Sequence, residues 1–205
     1  HFKTRIEKLE FLQDHWKLID EHGKEHLAKQ VILTLPQEQT NELVKDLDIG
    51  FQITENKMKP CFTVMLGLKE SPIFRHSGYV LHNSIVSWCA NETSKQRALN
   101  NKDLTLLTLQ TTEEYGFANF EKYKENKDQI LNEIVGEFLD IFKIDDSEVI
   151  HKQVHGWLYA YSDPINSEVF VNKEKGIGIT GDWFTGGRAE NSWKNAKLLA
   201  EKLSH

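Results

Sequence analysis

The chain has 205 residues, with 25 Lys and Arg against 31 Asp and Glu, a formal charge of -6, 39% hydrophobic and 10% aromatic residues. This composition fits one soluble globular unit or one and a part, long enough to need no metal or disulfide staple. The scattered basic residues argue against a phosphate-tracking nucleic-acid binder, and no apolar run reaches the roughly 20 residues of a membrane span. With no signal-peptide pattern and only Cys61 and Cys89, a reducing, cytoplasmic setting is expected, with a small-molecule partner and neither nucleic acid nor membrane.

In chain order, Phe2 to Ile6 reads as a strand and Phe11 to Ile19 as another, closed by the turn residues Asp20-Glu21-His22-Gly23. Val31 to Leu35 is an uninterrupted, β-branched run that suits a strand buried on both faces. From Pro36, at the first helical position, residues Gln37 to Leu47 carry helical spacing, with Leu43, Val44 and Leu47 on one face. Phe62 to Leu68, Ser84 to Ala90 and Leu104 to Leu109 read as further strands, with a polar loop from Asn91 to Asp103. Asn126 to Phe142 carries Ile130, Ile134 and Phe138 at four-residue spacing, which predicts a helix. Strands follow at Val149 to Tyr161, Glu168 to Val171 and Gly176 to Thr180, and a last helix runs from near Gly187 to about Leu203. The elements mix without strict alternation, so the expected class is α+β: a mixed, largely antiparallel sheet with packed helices. No internal repeat is visible.

Gly176-Ile177-Gly178-Ile179-Thr180-Gly181 matches G-x-G-x-x-G literally. As a dinucleotide fingerprint it fails on context, because that motif must open a helix within a βαβ unit and have an acidic residue about 20 positions on. Gly181 is followed instead by a polar, glycine-rich loop, and too little chain remains for a second parallel strand. Read as one piece, Gly176 to Leu203 is a strand, a loop bearing Gly181-Asp182, a Gly186-Gly187 turn and a helix. A helix N-terminus favours an anion or an electron-rich ring edge, an Asp ahead of it can accept hydrogen bonds from hydroxyls, and paired glycines allow close backbone approach.

The stretch GIGITGDWFTGGRAENSWKNAKLLAEKL resembles the C-terminal FAD-contacting segment of the flavin amine oxidase superfamily, most closely its renalase-like branch. In the same order, FKTRIEKLEFLQDHWKLID is similar to the family strand that passes the adenine, and QVILTLPQEQTNEL to its buried strand ending in Thr-x-Pro. IVSWCANETSKQR resembles a Trp-bearing strand and Ser-Lys loop, and VHGWLYAYSDP a His-x-Trp-x-Tyr-Ala stretch. The resemblance spans essentially the whole chain, yet the family's opening strand, G-x-G-x-x-G and helix are not present. The expectation is therefore the C-terminal portion of a renalase-like flavoprotein.

The resemblance implies a cofactor set of Ile6, Thr34, Pro36, Gly181, Asp182, Trp183, Gly187, Glu190, Asn191 and Ser192, with FAD as cofactor and the isolated piece not expected to hold it alone. Asn195 and Ala196 depart from the Ser and Gly of relatives. His155, Trp157 and Tyr159 alternate along one strand, so they share a face and form a candidate catalytic wall over a flat substrate. Trp88, Asn91, Ser94, Lys95 and Arg97 could reach the same substrate. His22 and His26 sit in a predicted hairpin and are poor metal ligands, and no metal site is expected.

The implied segments are 1–48, part of the FAD-binding domain; 49–172, the substrate domain; and 173–205, the C-terminal FAD-contacting strand, loop and helix. The implied activity is hydride transfer from a reduced nicotinamide dinucleotide isomer or an amine to flavin, with O2 reoxidising it, although the isolated fragment could be inactive. A non-catalytic binding or interaction module derived from the same fold is the alternative. A homodimer through the face left by the missing half is a further expectation.

Overall fold

A computed structural model of the chain describes residues 2–52, 57–69, 73–95 and 104–204. The first stretch holds β1 (Ile6–Leu12), β2 (His15–Asp20), β3 (Glu25–Ala28), β4 (Val31–Leu33) and α1 (Gln37–Val44). Next come β5 (Lys59–Lys69), β6 (Gly78–Val80), β7 (Val86–Asn91), β8 (Leu104–Thr111), α2 (Glu113–Asn119), α3 (Lys127–Phe142) and β9 (Val149–Tyr161). The chain closes with β10 (Phe170–Asn172), β11 (Ile177–Ile179) and α4 (Ala189–Ser204). The architecture is α+β, and among the described residues no helix is long and apolar enough to cross a membrane.

Two compact units result: His1–Met58 with Tyr161–His205, and Lys59–Ala160. The first contains an antiparallel β1-β2-β3 sheet and a mixed β10-β11-β4 sheet in which β11 and β4 run parallel. Its core gathers Trp16, Ile177, Ile179, Trp183 and Phe184, all essentially solvent-free. The Trp16 indole cannot be buried with its N–H unpaired, and it donates to the Lys175 carbonyl at 2.5 Å.

The second unit is a five-stranded sheet, order β6-β7-β8-β5-β9, with α3 on one face. The predicted stripe is the packed one: Ile130, Ile134 and Phe138 are buried with Val135 and Leu139. They join Val64, Leu66 and Leu109 in one core, each burial contributing roughly 1.5–3 kcal/mol. Phe138 stacks on Phe74 with ring planes 8° apart. Lys143, in the left-handed region at φ 56, ends the helix without a glycine.

Several sequence expectations change. Phe2 to Arg5 form no strand; β1 starts at Ile6. The single strand Phe11 to Ile19 is in fact a hairpin, because Gln13 takes a positive φ of 27° and folds Phe11 back onto Trp16. β4 is not buried on both faces: Val31 and Leu33 are inside while Ile32, whose side chain points to the opposite face, is 51% exposed. Pro36 caps α1 with an extended ψ of 151° instead of occupying its first turn, and the helix stops at Val44. α4, Ala189–Ser204, agrees with the helix expected from near Gly187 to about Leu203.

Candidate functional site

In the first unit, β4 and β11 pair in parallel with Leu33 opposite Ile179, so their C-terminal ends lie side by side. From one end the chain turns through Thr34, Leu35 and Pro36 into α1. From the other it runs through Thr180 and Gly181 into a 3₁₀ turn at Asp182–Phe184. The turns are tied together: Thr180 N–H donates to the Leu33 carbonyl at 3.0 Å, and the Trp183 indole N–H donates to the Leu35 carbonyl at 3.2 Å. Open sheets bind ligands at such C-terminal strand ends.

This corner brings together Thr34, Pro36, Gly181, Asp182 and Trp183 of the sequence-predicted set. The Trp183 ring itself is buried, stacked on Phe184 with centroids 4.1 Å apart, so it braces the corner from behind. A Cβ at Gly181 would lie 2.4 Å from the Trp183 Nε1, which explains the glycine by close approach. The Asp182 carbonyl accepts from the N–H groups of Thr185 at 3.0 Å and Gly186 at 2.8 Å. That tight turn requires Gly186 at φ 106°.

Gly187 leaves a small polar cradle. A Cβ there would sit 3.4 Å from Ser162 N, 3.6 Å from Asp182 Oδ2 and 3.7 Å from Ser162 Oγ. The Ser162 Oγ and the Thr180 Oγ1 are buried with no hydrogen-bond partner, an arrangement native proteins rarely leave unexplained. The orphaned hydroxyl of Ser162 and the Asp182 carboxylate thus meet at a spot where the backbone is bare. The chemistry suits a ligand that presents hydroxyl groups.

α4 holds this loop through two asparagines one helical turn apart. Asn191 Nδ2 donates to the carbonyls of Gly186 at 2.8 Å and Thr185 at 3.2 Å. Asn195 Nδ2 donates to the Gly181 carbonyl at 2.8 Å and to Thr185 Oγ1 at 3.0 Å. Asn195, a departure from relatives by sequence, is therefore the buried brace of the loop. Glu190 and Ser192 are exposed on the first turns of α4, and the Lys194 ammonium at 2.7 Å holds the Glu190 carboxyl below its ordinary range. Ile6 stands apart, on β1 of the other sheet, half-buried against the same core.

In the second unit, β9 presents His155, Trp157 and Tyr159 on one face. Gly156 proves the alternation: a Cβ there would press on Tyr123 at 3.0 Å and Phe120 at 3.2 Å, on the helical side. On the opposite side the His155 and Trp157 rings touch edge to face, 4.4 Å between centroids. That open side continues over the sheet with Thr63 opposite Gln110, Met65 opposite Thr108 and Gly67 opposite Leu106. Trp88 lies flat across Gly78, where a Cβ would fall 2.3 Å from the indole.

The segment after Trp88 is held by local bonds. Asn91 is buried and donates to the Phe74 carbonyl at 3.0 Å, Ser94 caps onto Asn91, and Lys95 pairs with Glu92 at 2.7 Å. Arg97 lies outside the described residues. His26 donates to Asp20 at 2.9 Å, and among the described residues no group of His, Cys, Asp or Glu is placed to hold a metal ion.

No protein-family model matches the chain. Among solved structures it is similar to a presumed protoporphyrinogen oxidase of Exiguobacterium sp. 255-15, with TM-score 0.70 and 14% identity over 98% of this chain and 46% of the other. It is also similar to an oxidoreductase from Methanosarcina mazei, with TM-score 0.67 and 13% identity over 97% and 49%. A cofactor-binding redesign of putrescine oxidase matches with TM-score 0.65 and 11% identity over 97% and 47%. The chain shares the α+β fold of part of each of these structures. It spans about half the length of the structures it matches.

Proposed function

We propose that this chain supplies the C-terminal cofactor corner and the substrate-binding sheet of an FAD-dependent oxidoreductase of the amine oxidase type, with renalase-like chemistry on a small molecule. The observation that carries this reading is the cradle at Gly187, where a carboxylate and an orphaned buried hydroxyl converge beside the C-terminal ends of parallel strands. Asp182 would accept hydrogen bonds from ribityl hydroxyls, Ser162 and Thr180 would regain partners, and the glycine backbone would allow the approach. The N-terminus of α4 would favour negative charge at the ring edge. When bound, FAD would supply the hydride acceptor, with O2 taking the electrons onward.

His155, Trp157 and Tyr159 would then orient the substrate, a reduced nicotinamide dinucleotide isomer or an amine, since hydride transfer depends on orientation more than on a strong base. The test is FAD affinity of the full-length protein, read from the flavin absorption band between roughly 350 and 500 nm. Asp182→Ala should weaken it about tenfold or more, the loss of one or two charge-assisted hydrogen bonds. Unchanged affinity would remove the assigned site. Absence of flavin from the full-length protein even after added FAD would favour a non-catalytic binding module.

A further inference from the structure

We infer that the open face of the second unit's sheet selects a flat substrate that carries no positive charge. The inference rests on the reading of that face as the substrate wall and goes beyond it by fixing the charge class. It starts from what the face lacks. The chain carries 31 Asp and Glu, yet among the described residues none of the alternating positions on that side of β5, β6, β7, β8 or β9 is a carboxylate. At the two ends of β5 the acids are matched by lysines, Glu113 at 2.8 Å from Lys59 and Glu148 at 3.8 Å from Lys69.

The face is also level. Gly78 lets the Trp88 indole lie down on the sheet, Ala90 sits opposite Thr108, and Gly67 leaves only the backbone beside His151, whose Cβ would be 3.2 Å from an added side chain. Gly67, Thr63 and Thr108 keep parts of the floor low beside Met65 and Leu106, and the Trp88 and Trp157 rings, 37% and 52% exposed, stand on the strands to either side. A planar ring system fits such a surface better than a flexible chain does.

Its polar groups, among them the imidazoles of His151 and His155, the Gln110 amide and the Tyr159 hydroxyl, can each donate to a carbonyl or carboxylate, and although each can also accept, none is an anion. An ammonium group desolvated here would meet no counter-charge on the sheet among the described residues, and burying an unpaired charge is costly. Contact with an indole face returns only about 0.5–2 kcal/mol of that cost. The chemistry thus selects against a primary amine and for a flat neutral or anionic ring.

The test uses two probes of one shape and opposite charge, 2-naphthoate and protonated 2-naphthylmethylamine, titrated into the full-length protein. Binding is followed by the indole N–H resonances of Trp88 and Trp157, a readout that needs no flavin. Naphthoate should bind at least tenfold more tightly, and Gln110→Glu, nearly the same shape, should reverse the preference; Thr108→Glu does the same if the first variant fails to fold. An amine that binds as well as the carboxylate, or a ratio unmoved by both variants, overturns the inference. Flavin loading is scored separately, so a protein that holds FAD but prefers the amine sinks this inference alone, and one that prefers naphthoate without holding FAD sinks only the flavin reading.

Discussion

The second unit is assembled from segments close in sequence, and the first from segments far apart. Within the second, the bond from Phe62 N to Thr111 Oγ1 spans 49 residues and that from the Tyr123 hydroxyl to the Val154 carbonyl spans 31. Within the first, Asn172 to Ile49 spans 123, Trp183 to Leu35 spans 148 and Trp16 to Lys175 spans 159. The parallel pair at its centre is three residues long on each strand, against the seven paired positions of β5 and β8. Closing long loops costs entropy before any contact forms. The second unit meets that cost with long ladders and a helix stripe, the first with a few large aromatic anchors. The candidate corner therefore stands on the unit whose bonds close the longest stretches of chain.

The largest expected effect that would break this contrast is Trp183→Ala. It removes a buried indole, its stack on Phe184 and its bond to Leu35, for about 3–5 kcal/mol. Hydrogen exchange should then show β4 and β11 losing protection while β5 and β8 keep theirs; simultaneous loss throughout would mean one cooperative unit. Phe138→Ala, of about the same size, should give the mirror pattern.

Two glycine substitutions sharpen the comparison at a lower cost. A Cβ at Gly116 would fall 2.2 Å from the Pro60 carbonyl oxygen, which is backbone, whereas one at Gly178 would fall 2.9 Å from Leu199 Cδ1, the tip of a side chain. Gly116→Ala should cost about 3 kcal/mol or more and Gly178→Ala about 1 kcal/mol, measured by urea unfolding. Equal costs would show that the second unit yields as readily as the first.

Smaller still is an acid effect confined to the first unit. The hydrogen bond from His26, joined by the backbone N–H groups of His22 and Lys24, holds the Asp20 carboxyl down at about 2. Its unfolded value is about 3.9, so its contribution is complete above pH ~4 and fades as pH falls toward ~2. Asp20→Asn should flatten stability across that window, as followed by near-ultraviolet circular dichroism; an unchanged acid slope would assign the effect elsewhere. The smallest effect is a null one: burial pushes the Cys89 thiol up to about 12, so a thiol reagent at pH 8 should leave it untouched until the second unit opens.

What the sequence disclosed follows the same division. α3 is written in its four-residue stripe, and β5, β8 and β9 in long β-branched or alternating runs, so their periodicity alone locates them. The β1 to β2 turn was hidden because Gln13 and Asp14 occupy a place where Gly or Asn is usual. β3 and β6 are too short to show a period. α2 carries no apolar stripe, though Thr112, accepting from Tyr115 N at 3.2 Å, was a readable cap. At the candidate site, Gly181 and Asp182 stood out locally and the His155–Trp157 face followed from alternation. The unpaired hydroxyls of Ser162 and Thr180 and the bracing by Asn195 arise only when distant segments pack.

The bond between Leu35 and Trp183 also sets a schedule for biosynthesis. With 148 residues between them and chain growth at about 5–20 residues per second, β4 waits roughly 7–30 s for the strand it pairs with. During that interval Val31 and Leu33, buried in the finished molecule, have no native cover from β11, while the second unit can complete its own sheet. A ribosome-bound chaperone that binds short apolar strands would find its target in β4, and slowing translation after Leu35 would lengthen the exposure without touching the second unit.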